Sequence, residues 1–497
     1  MKTLRFTKPQ VTGNRVAFRW QCDPPVPLLL RDNFSIEYPF SVEDADVPES
    51  MWWSVLLGCA FATWNFLEDY TIVCDGGVSC EEREAWSRLA DYERWMFQKY
   101  SDGTGRHRPF AVEASELAHG AAAPRTEARG AASCLSGGKE SLLQAGLLRE
   151  MGSPMSLVNI ISPIPSQRDH ESRKRTRIMS QFAGCSWAEL VRVRSDVRST
   201  FDNNYPREHG AGVSFNELAD SVIYASLALP VAWYHRRESV LLGSEWEVSW
   251  LKRQHNLPCP DTYAMYSIPT FAGIDATWRN LYGIGYGSLL FPLTQFCIES
   301  LLCTRYKDLL PMQDSCWRTD GIHDYCSQCE KCLRVASMLL AHKVSPTDIA
   351  IDLNRLFSPE SSIMRVWPPA YDDIVHTLYH DSIRYAASKI DPQWALDLFR
   401  EGTSLRNGPF RRWRTKRSFL KWRQRTADST VGHVALPKSD YFKYVPETYR
   451  ESVRGIVHEV LPDDDTRDFS EPLACIDEAI EYLRAPFSVL TAIRQMG

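Results

Sequence analysis

Six residues constrain this chain more than any other stretch: Ser136-Gly137-Gly138-Lys139-Glu140-Ser141, set between a small apolar run and a leucine-rich helical pattern. Glycines without Cβ let consecutive backbone N–H groups converge on phosphate oxygens, and the helix that follows turns its positive dipole end toward the same anion. Leu142, Leu143, Ala145, Leu147 and Leu148 keep helical spacing up to Gly152, a glycine suited to close a helix. Ala131 to Leu135 reads as a buried strand before the loop, and Met155 to Ile161 as a second strand after the helix. Strand, loop, helix and strand predict a parallel βαβ crossover whose loop cradles the pyrophosphate of ATP. A Ser-Gly-Gly turn on its own is a common linker element, and the flanking strand and helix set this one apart. The loop lacks the G-x-x-x-x-G-K spacing of a Walker loop and the third glycine of a dinucleotide fingerprint.

At 497 residues and 44% hydrophobic composition the chain can bury a large core. Its net charge of -5 gives no overall pull toward nucleic acid or membranes. No uncharged apolar run reaches the roughly 18 residues that span a bilayer, and Met1-Lys2-Thr3-Leu4-Arg5 leads into no signal-type region. A cytoplasmic location is expected. Most of the 14 cysteines are scattered, as reduced thiols are. The exception is Cys316, Cys326, Cys329 and Cys332, where two Cys-x-x-Cys steps share Cys329 and Cys316 lies upstream. Four soft sulfurs at this spacing favour tetrahedral Zn²⁺, and a closed four-sulfur shell gives the metal a structural role. A redox dithiol or chance clustering is the competing reading of the spacing.

Along the chain, residues 1–117 read as a separate α+β domain, with strands over Val16 to Trp20, Leu28 to Leu30 and Phe34 to Tyr38 and a buried helix from Met51 to Phe61. Residues 118–132 turn rich in alanine and glycine and read as a junction whose end feeds the next strand. Residues 130–349 alternate strand and helix, with further strands at Glu189 to Val193 and Val240 to Gly243. Ser214 and Glu217 have capping-box spacing ahead of an apolar face formed by Leu218, Val222, Ala225 and Leu229. This alternation predicts an α/β fold, a doubly wound parallel sheet with ligands beyond the carboxyl ends of its strands. Residues 350–497 read as a mostly helical C-terminal extension. The extension holds a basic, tryptophan-interleaved stretch, Arg411 to Arg417 and Lys421 to Arg423, read first as a solvated helix face and second as an RNA or anionic-substrate contact.

The loop, the βαβ unit and the later cysteine cluster together resemble the ATP-pyrophosphatase (PP-loop) superfamily. Its members have an adenine nucleotide alpha hydrolase-like fold and cleave ATP to AMP and pyrophosphate while adenylating a substrate. Cyano-deazaguanine synthases share the pairing of such a loop with a four-cysteine zinc site. A closer resemblance is to the PP-loop epimerase family acting on UDP-N-acetylmuramoyl-L-alanyl-L-glutamate in peptidoglycan biosynthesis. It rests on Leu242-Gly243-Ser244-Glu245, Ser288-Leu289-Leu290-Phe291-Pro292-Leu293, and Ser315-Cys316 ahead of Cys326, Cys329, Lys331 and Cys332. The likeness covers roughly residues 1–350. Glu140 stands where that family usually has aspartate, and Arg411 to Gly497 has no counterpart in it.

The resemblance implies an ATP-dependent epimerase. A peptide's C-terminal carboxylate is adenylated, its α-proton is removed and returned from the other face, and water releases AMP. ATP, Mg²⁺ and Zn²⁺ are the expected cofactors, and a peptide or nucleotide-linked peptide is the expected substrate, with no membrane or nucleic-acid partner. For ATP the candidate residues are Ser136, Gly137, Gly138, Lys139 and Ser141, with Glu140 organising Mg²⁺. Glu245, after a strand end, and His209, before the capped helix, are the candidate acid and base, and Asp314 is a weaker one. Two other functions compete: adenylation followed by amide, nitrile or thiolated-base formation, and a non-catalytic, zinc-stabilised RNA-binding protein.

Overall fold

The computed structural model describes residues 2–67, 70–79, 82–90, 92, 111–116, 127–164, 168–209, 214–254, 257–260, 264–316, 325–368, 374–401 and 409–484. Its strands are β1 (Lys2–Phe6), β2 (Gln10–Thr12), β3 (Arg15–Asp23), β4 (Asn33–Glu37), β5 (Tyr70–Gly77), β6 (Ala111–Glu116), β7 (Ala131–Cys134), β8 (Met155–Ile161), β9 (Glu189–Ser195), β10 (Ser239–Leu241), β11 (Leu251–Gln254), β12 (Leu257–Pro260) and β13 (Gly285–Gly287). All but the β11–β12 hairpin join one 11-stranded sheet in the order β13-β10-β7-β8-β9-β4-β3-β1-β5-β6, with β2 on the side against β3.

The sheet is parallel from β13 to β9. Strand β8 is buried along almost its whole length because helices cover both of its faces. Alternate side chains of each strand enter different cores. Ala132, Cys134, Val158 and Ile160 pack with Trp52, Val222 and Trp278 on one face. Ala131, Met155 and Leu157 pack with Leu142, Leu301 and Leu339 on the other. Helices on both faces of a parallel sheet make this a doubly wound α/β arrangement.

The N-terminal stretch is not set apart as a sheet of its own. Strand β4 pairs antiparallel with β9, placing Ile36 opposite Ser195 and Glu37 opposite Arg194. Phe34, Ile36 and Trp52 lie in the same core as Val158 and Val191. Leu28 to Leu30, expected as a strand, makes only a bridge between Leu29 and Phe201. Pro24, Pro25 and Pro27 withhold the N–H groups a ladder there would need. Much of the junction read at 118–132 falls outside the described residues.

The described residues after Ile349 are mostly helical and are built onto the loop unit. Ile383, Phe419, Trp422, Tyr449 and Val453 share a core with Leu142 and Leu301. Lys438 and Asp465 form a buried ion pair at 2.7 Å. Among the described residues, no helix is long and apolar enough to cross a membrane.

The topology fixes where a ligand can bind. From β7 the sheet grows one way through β8 and β9 and the other way through β10 and β13. The connections leaving β7 and β10 therefore diverge and open a crevice beyond their carboxyl ends. Gly137 follows β7 and Gly243 follows β10, and both reach this crevice.

Candidate functional site

The loop is shaped by its glycines and braced by its serines. Gly137 has φ +80°, and a Cβ on it would lie 2.4 Å from Ile178 Cδ1, so only glycine fits there. Ser141 Oγ accepts the Gly137 N–H at 3.1 Å and donates to the Gly138 carbonyl at 2.9 Å. Ser136 Oγ accepts the Gly138 N–H at 3.2 Å. Both hydroxyls, expected as phosphate donors, thus hold the loop's shape. Gly138, at the start of the helix Lys139–Glu150, offers no side-chain cap of its own, and an anion beside it would meet the positive end of the helix dipole. It closes at Gly152, φ +62°, where Ser153 N–H donates to Leu148 O at 3.0 Å and Gly152 N–H to Arg149 O at 3.1 Å.

The far side of the loop is held by the segment that leads into the cysteine cluster. Asp314 N–H donates to Gly137 O at 2.7 Å, and Lys139 N–H donates to Ser315 Oγ at 3.4 Å. Tyr325 hydroxyl accepts the Ser315 N–H at 2.9 Å and donates to Gln313 O at 3.1 Å. Lys174 donates to Cys316 O at 3.1 Å, and Arg177 pairs with Asp314. Asp314 is therefore a brace within an ion-pair group.

Cys316, Cys326, Cys329 and Cys332 are buried, with all four sulfurs within 4.8 Å of one another. Cys326 and Cys332 sulfurs lie 3.7 Å apart, and Cys329 and Cys332 3.4 Å. Sulfurs bound tetrahedrally at about 2.3 Å from zinc stand roughly 3.8 Å apart, so this donor set fits Zn²⁺. The expected cysteine set is thus assembled as one cage.

Behind the loop lies a group of buried acids. Lys139 is 1% exposed and pairs with Glu140. Burial would raise the Glu140 pKa, but Lys139 and Lys331 hold it down to about 2. Lys331 comes from the zinc-side helix Glu330–Ala341, and burial lowers its pKa although Glu140 opposes this. Glu245 is buried, with Oε1 accepting from Gln295 Nε2 at 2.9 Å and from the Tyr379 hydroxyl at 3.1 Å. Glu247 accepts the Gln295 N–H at 2.9 Å, and burial together with the charge of Glu245 pushes its carboxyl up to about 8. Glu299 accepts from Gln313 Nε2 at 3.2 Å; burial pushes it up to about 7 although Lys139 opposes this. A Cβ on Gly243 would come 2.8 Å from Glu140 Cβ, so the turn after β10 packs directly against the start of the loop helix.

Several polar atoms here are buried without a partner among the described residues: Glu247 Oε2, Gln295 Oε1, Glu299 Oε1, Gln313 Oε1 and an Arg334 nitrogen. Buried polar atoms are ordinarily satisfied, and this concentration marks a place that a polar ligand, ion or water completes.

The structure thus brings Glu245 to the loop and leaves His209 outside it. His209 is exposed after the short helix Tyr205–Glu208, its ring stacked on Tyr205 at 3.7 Å and its Nδ1 2.8 Å from Tyr205 O. Glu247, Glu299, Gln295, Lys331 and Tyr379 are site residues to which the sequence reading gave no role. Glu299 had a sequence signal, as the lone charge in the apolar helix Gln295–Thr304, whereas Tyr379 arrives from a distant C-terminal helix and had none.

No protein-family model, no curated protein and no solved structure matches the chain.

Proposed function

We propose that the crevice is the site of an ATP-dependent epimerase that adenylates the C-terminal carboxylate of a peptide, UDP-N-acetylmuramoyl-L-alanyl-L-glutamate or a related one, and inverts its α-carbon. The observation that carries this reading is the placing of a glycine-shaped loop beside buried carboxyls held near neutrality. The positive end of the helix dipole and the Lys139 ammonium suit the β- and γ-phosphates, whose oxygens would replace Ser141 Oγ and Ser136 Oγ as acceptors of the Gly137 and Gly138 N–H groups. Glu140, kept anionic, offers the hard oxygen that would hold Mg²⁺, which would supply charge neutralisation at the phosphates beside Lys139.

The substrate carboxylate attacks the α-phosphorus, the bond to the β-phosphate oxygen breaks and pyrophosphate leaves. The acyl-adenylate no longer carries the carboxylate charge, so its α-proton is more acidic. One carboxylate takes this proton and a protonated carboxyl on the other face supplies another. We assign the two faces of the carbon to Glu245, on the turn after β10, and Glu299, on the helix Gln295–Thr304. Glu247 is a nearby proton store, and Glu299 and Glu247 have the near-neutral pKa values that proton transfer at pH 7 requires. Water then cleaves the anhydride and releases AMP. The four cysteines would hold Zn²⁺ outside these steps, where it would supply rigidity to the segment that ends at Cys316 and braces the loop.

The reading is tested by ³¹P spectroscopy of the protein incubated with ATP, Mg²⁺ and peptides ending in L-glutamate. AMP and pyrophosphate, formed only with peptide present, are expected. ADP and phosphate as products would overturn it.

A further inference from the structure

Arg334 is a cation of the crevice to which the epimerase steps give no task. It stands on the helix Glu330–Ala341, one turn beyond Lys331, and is 8% exposed. Its guanidinium carbon lies 4.1 Å from the ring centre of Tyr379, which comes from the helix Ile374–Lys389. The ring steadies the flat group by a cation–π contact but offers it no hydrogen-bond acceptor. The terminal nitrogen Nη1 is buried with no hydrogen-bond partner among the described residues. A buried cation with an unmet donor costs free energy, and a guanidinium cannot shed that cost by losing a proton. An anion arriving there removes the cost.

The two cations of this helix face different parts of the crevice. Lys331 has Glu140 and Lys139 of the loop foremost among its charged neighbours. Tyr379, which stacks on Arg334, donates its hydroxyl to Glu245 at 3.1 Å. Lys331 thus belongs with the phosphate loop, and Arg334 with the carboxylate assigned to the α-carbon.

Resting on the epimerase reading, we propose that Arg334 binds the side-chain carboxylate of the substrate's terminal residue and so makes the enzyme specific for an acidic one. Adenylation removes the charge of the α-carboxylate, whereas the side-chain carboxylate keeps its own through every step. The planar guanidinium can meet it with parallel N–H donors. A fixed positive charge there also offsets the second negative charge beside the enolate that forms when the α-proton leaves.

Steady-state turnover of UDP-N-acetylmuramoyl-L-alanyl-L-glutamate tests it against the same compound ending in L-glutamine, whose side chain has the same shape without the charge. The wild type is expected to favour glutamate about a hundredfold in kcat/KM, chiefly through KM. Arg334→Gln should bring the two compounds to within about threefold of each other, and Arg334→Lys, which keeps the charge but not the planar fork, should leave a preference of about tenfold. A wild type that turns over both compounds equally would overturn the assignment without recourse to any variant. So would an Arg334→Gln enzyme that keeps the full preference; a raised KM for ATP in that enzyme would put the guanidinium on phosphate instead. Pyrophosphate formed from both compounds without preference fails this assignment alone, whereas pyrophosphate formed from neither fails the epimerase reading and this assignment with it.

Discussion

Replacing Glu247 with glutamine should stabilise the protein at pH 8 and change little at pH 4.5. The carboxyl is buried, one oxygen accepts the Gln295 N–H at 2.9 Å and the other has no partner. Burial and the neighbouring charge of Glu245 move its pKa from the ordinary 4.5 to about 8. A carboxyl with a raised folded-state pKa contributes its stability below the unfolded value and loses it as pH rises to the folded value. The window is therefore pH 4.5 to about 8. At about 1.4 kcal/mol per unit, the displacement sets an upper limit of about 5 kcal/mol. Water entering the crevice and the polar side chains around it reduce the expected gain to about 2–3 kcal/mol. Glutamine keeps the oxygen that Gln295 uses, so no hydrogen bond is lost. Urea unfolding of wild type and Glu247→Gln at pH 5, 6.5 and 8, followed by tryptophan fluorescence, should show the two curves diverging as pH rises. A constant offset across that range would refute the argument that Glu247 is held protonated by its surroundings.

Three further outcomes follow from the site. Lys139→Ala should slow pyrophosphate release about a hundredfold or more and lower the melting temperature, because the side chain is buried and paired with Glu140; turnover at the wild-type rate would exclude Lys139 from the phosphate site. Cys329→Ser should lower zinc content, thermal stability and ATP affinity together, since Asp314 and Ser315 tie the cysteine segment to the loop; metal loss with nucleotide affinity unchanged would break that link. His209→Asn should leave epimerisation unchanged, and a large fall in rate would return His209 to the catalytic set.

The local features were readable in the sequence because local chemistry sets them. Strand β8 has the bounds Met155–Ile161 expected of it, since an apolar run between a helix and a polar loop has little choice. The capping box of Ser214 and Glu217 forms as its spacing dictates. Strand β10 stops at Leu241, short of the expected Gly243. What remained hidden depends on residues far apart in the chain. The pairing of β4 with β9 that joins the N-terminal strands to the main sheet leaves no local trace. Glu245 was found from its place after a strand, but its setting was not, because Gln295 and Tyr379 reach it from other elements. His209 was chosen for closeness in sequence to a capped helix, and its short helix turns it into solvent instead.

The central claim is that the crevice removes and returns an α-proton on an adenylated carboxylate. Its most direct test is mass and NMR analysis of a peptide ending in L-glutamate after incubation with ATP and Mg²⁺ in deuterated water. The account predicts deuterium at the α-carbon of the terminal residue, inversion at that carbon, and one AMP and one pyrophosphate formed for each inverted residue. Glu245→Gln should abolish both label and inversion. ATP consumed with no deuterium at that carbon, or a product of altered composition such as an amide, would contradict it.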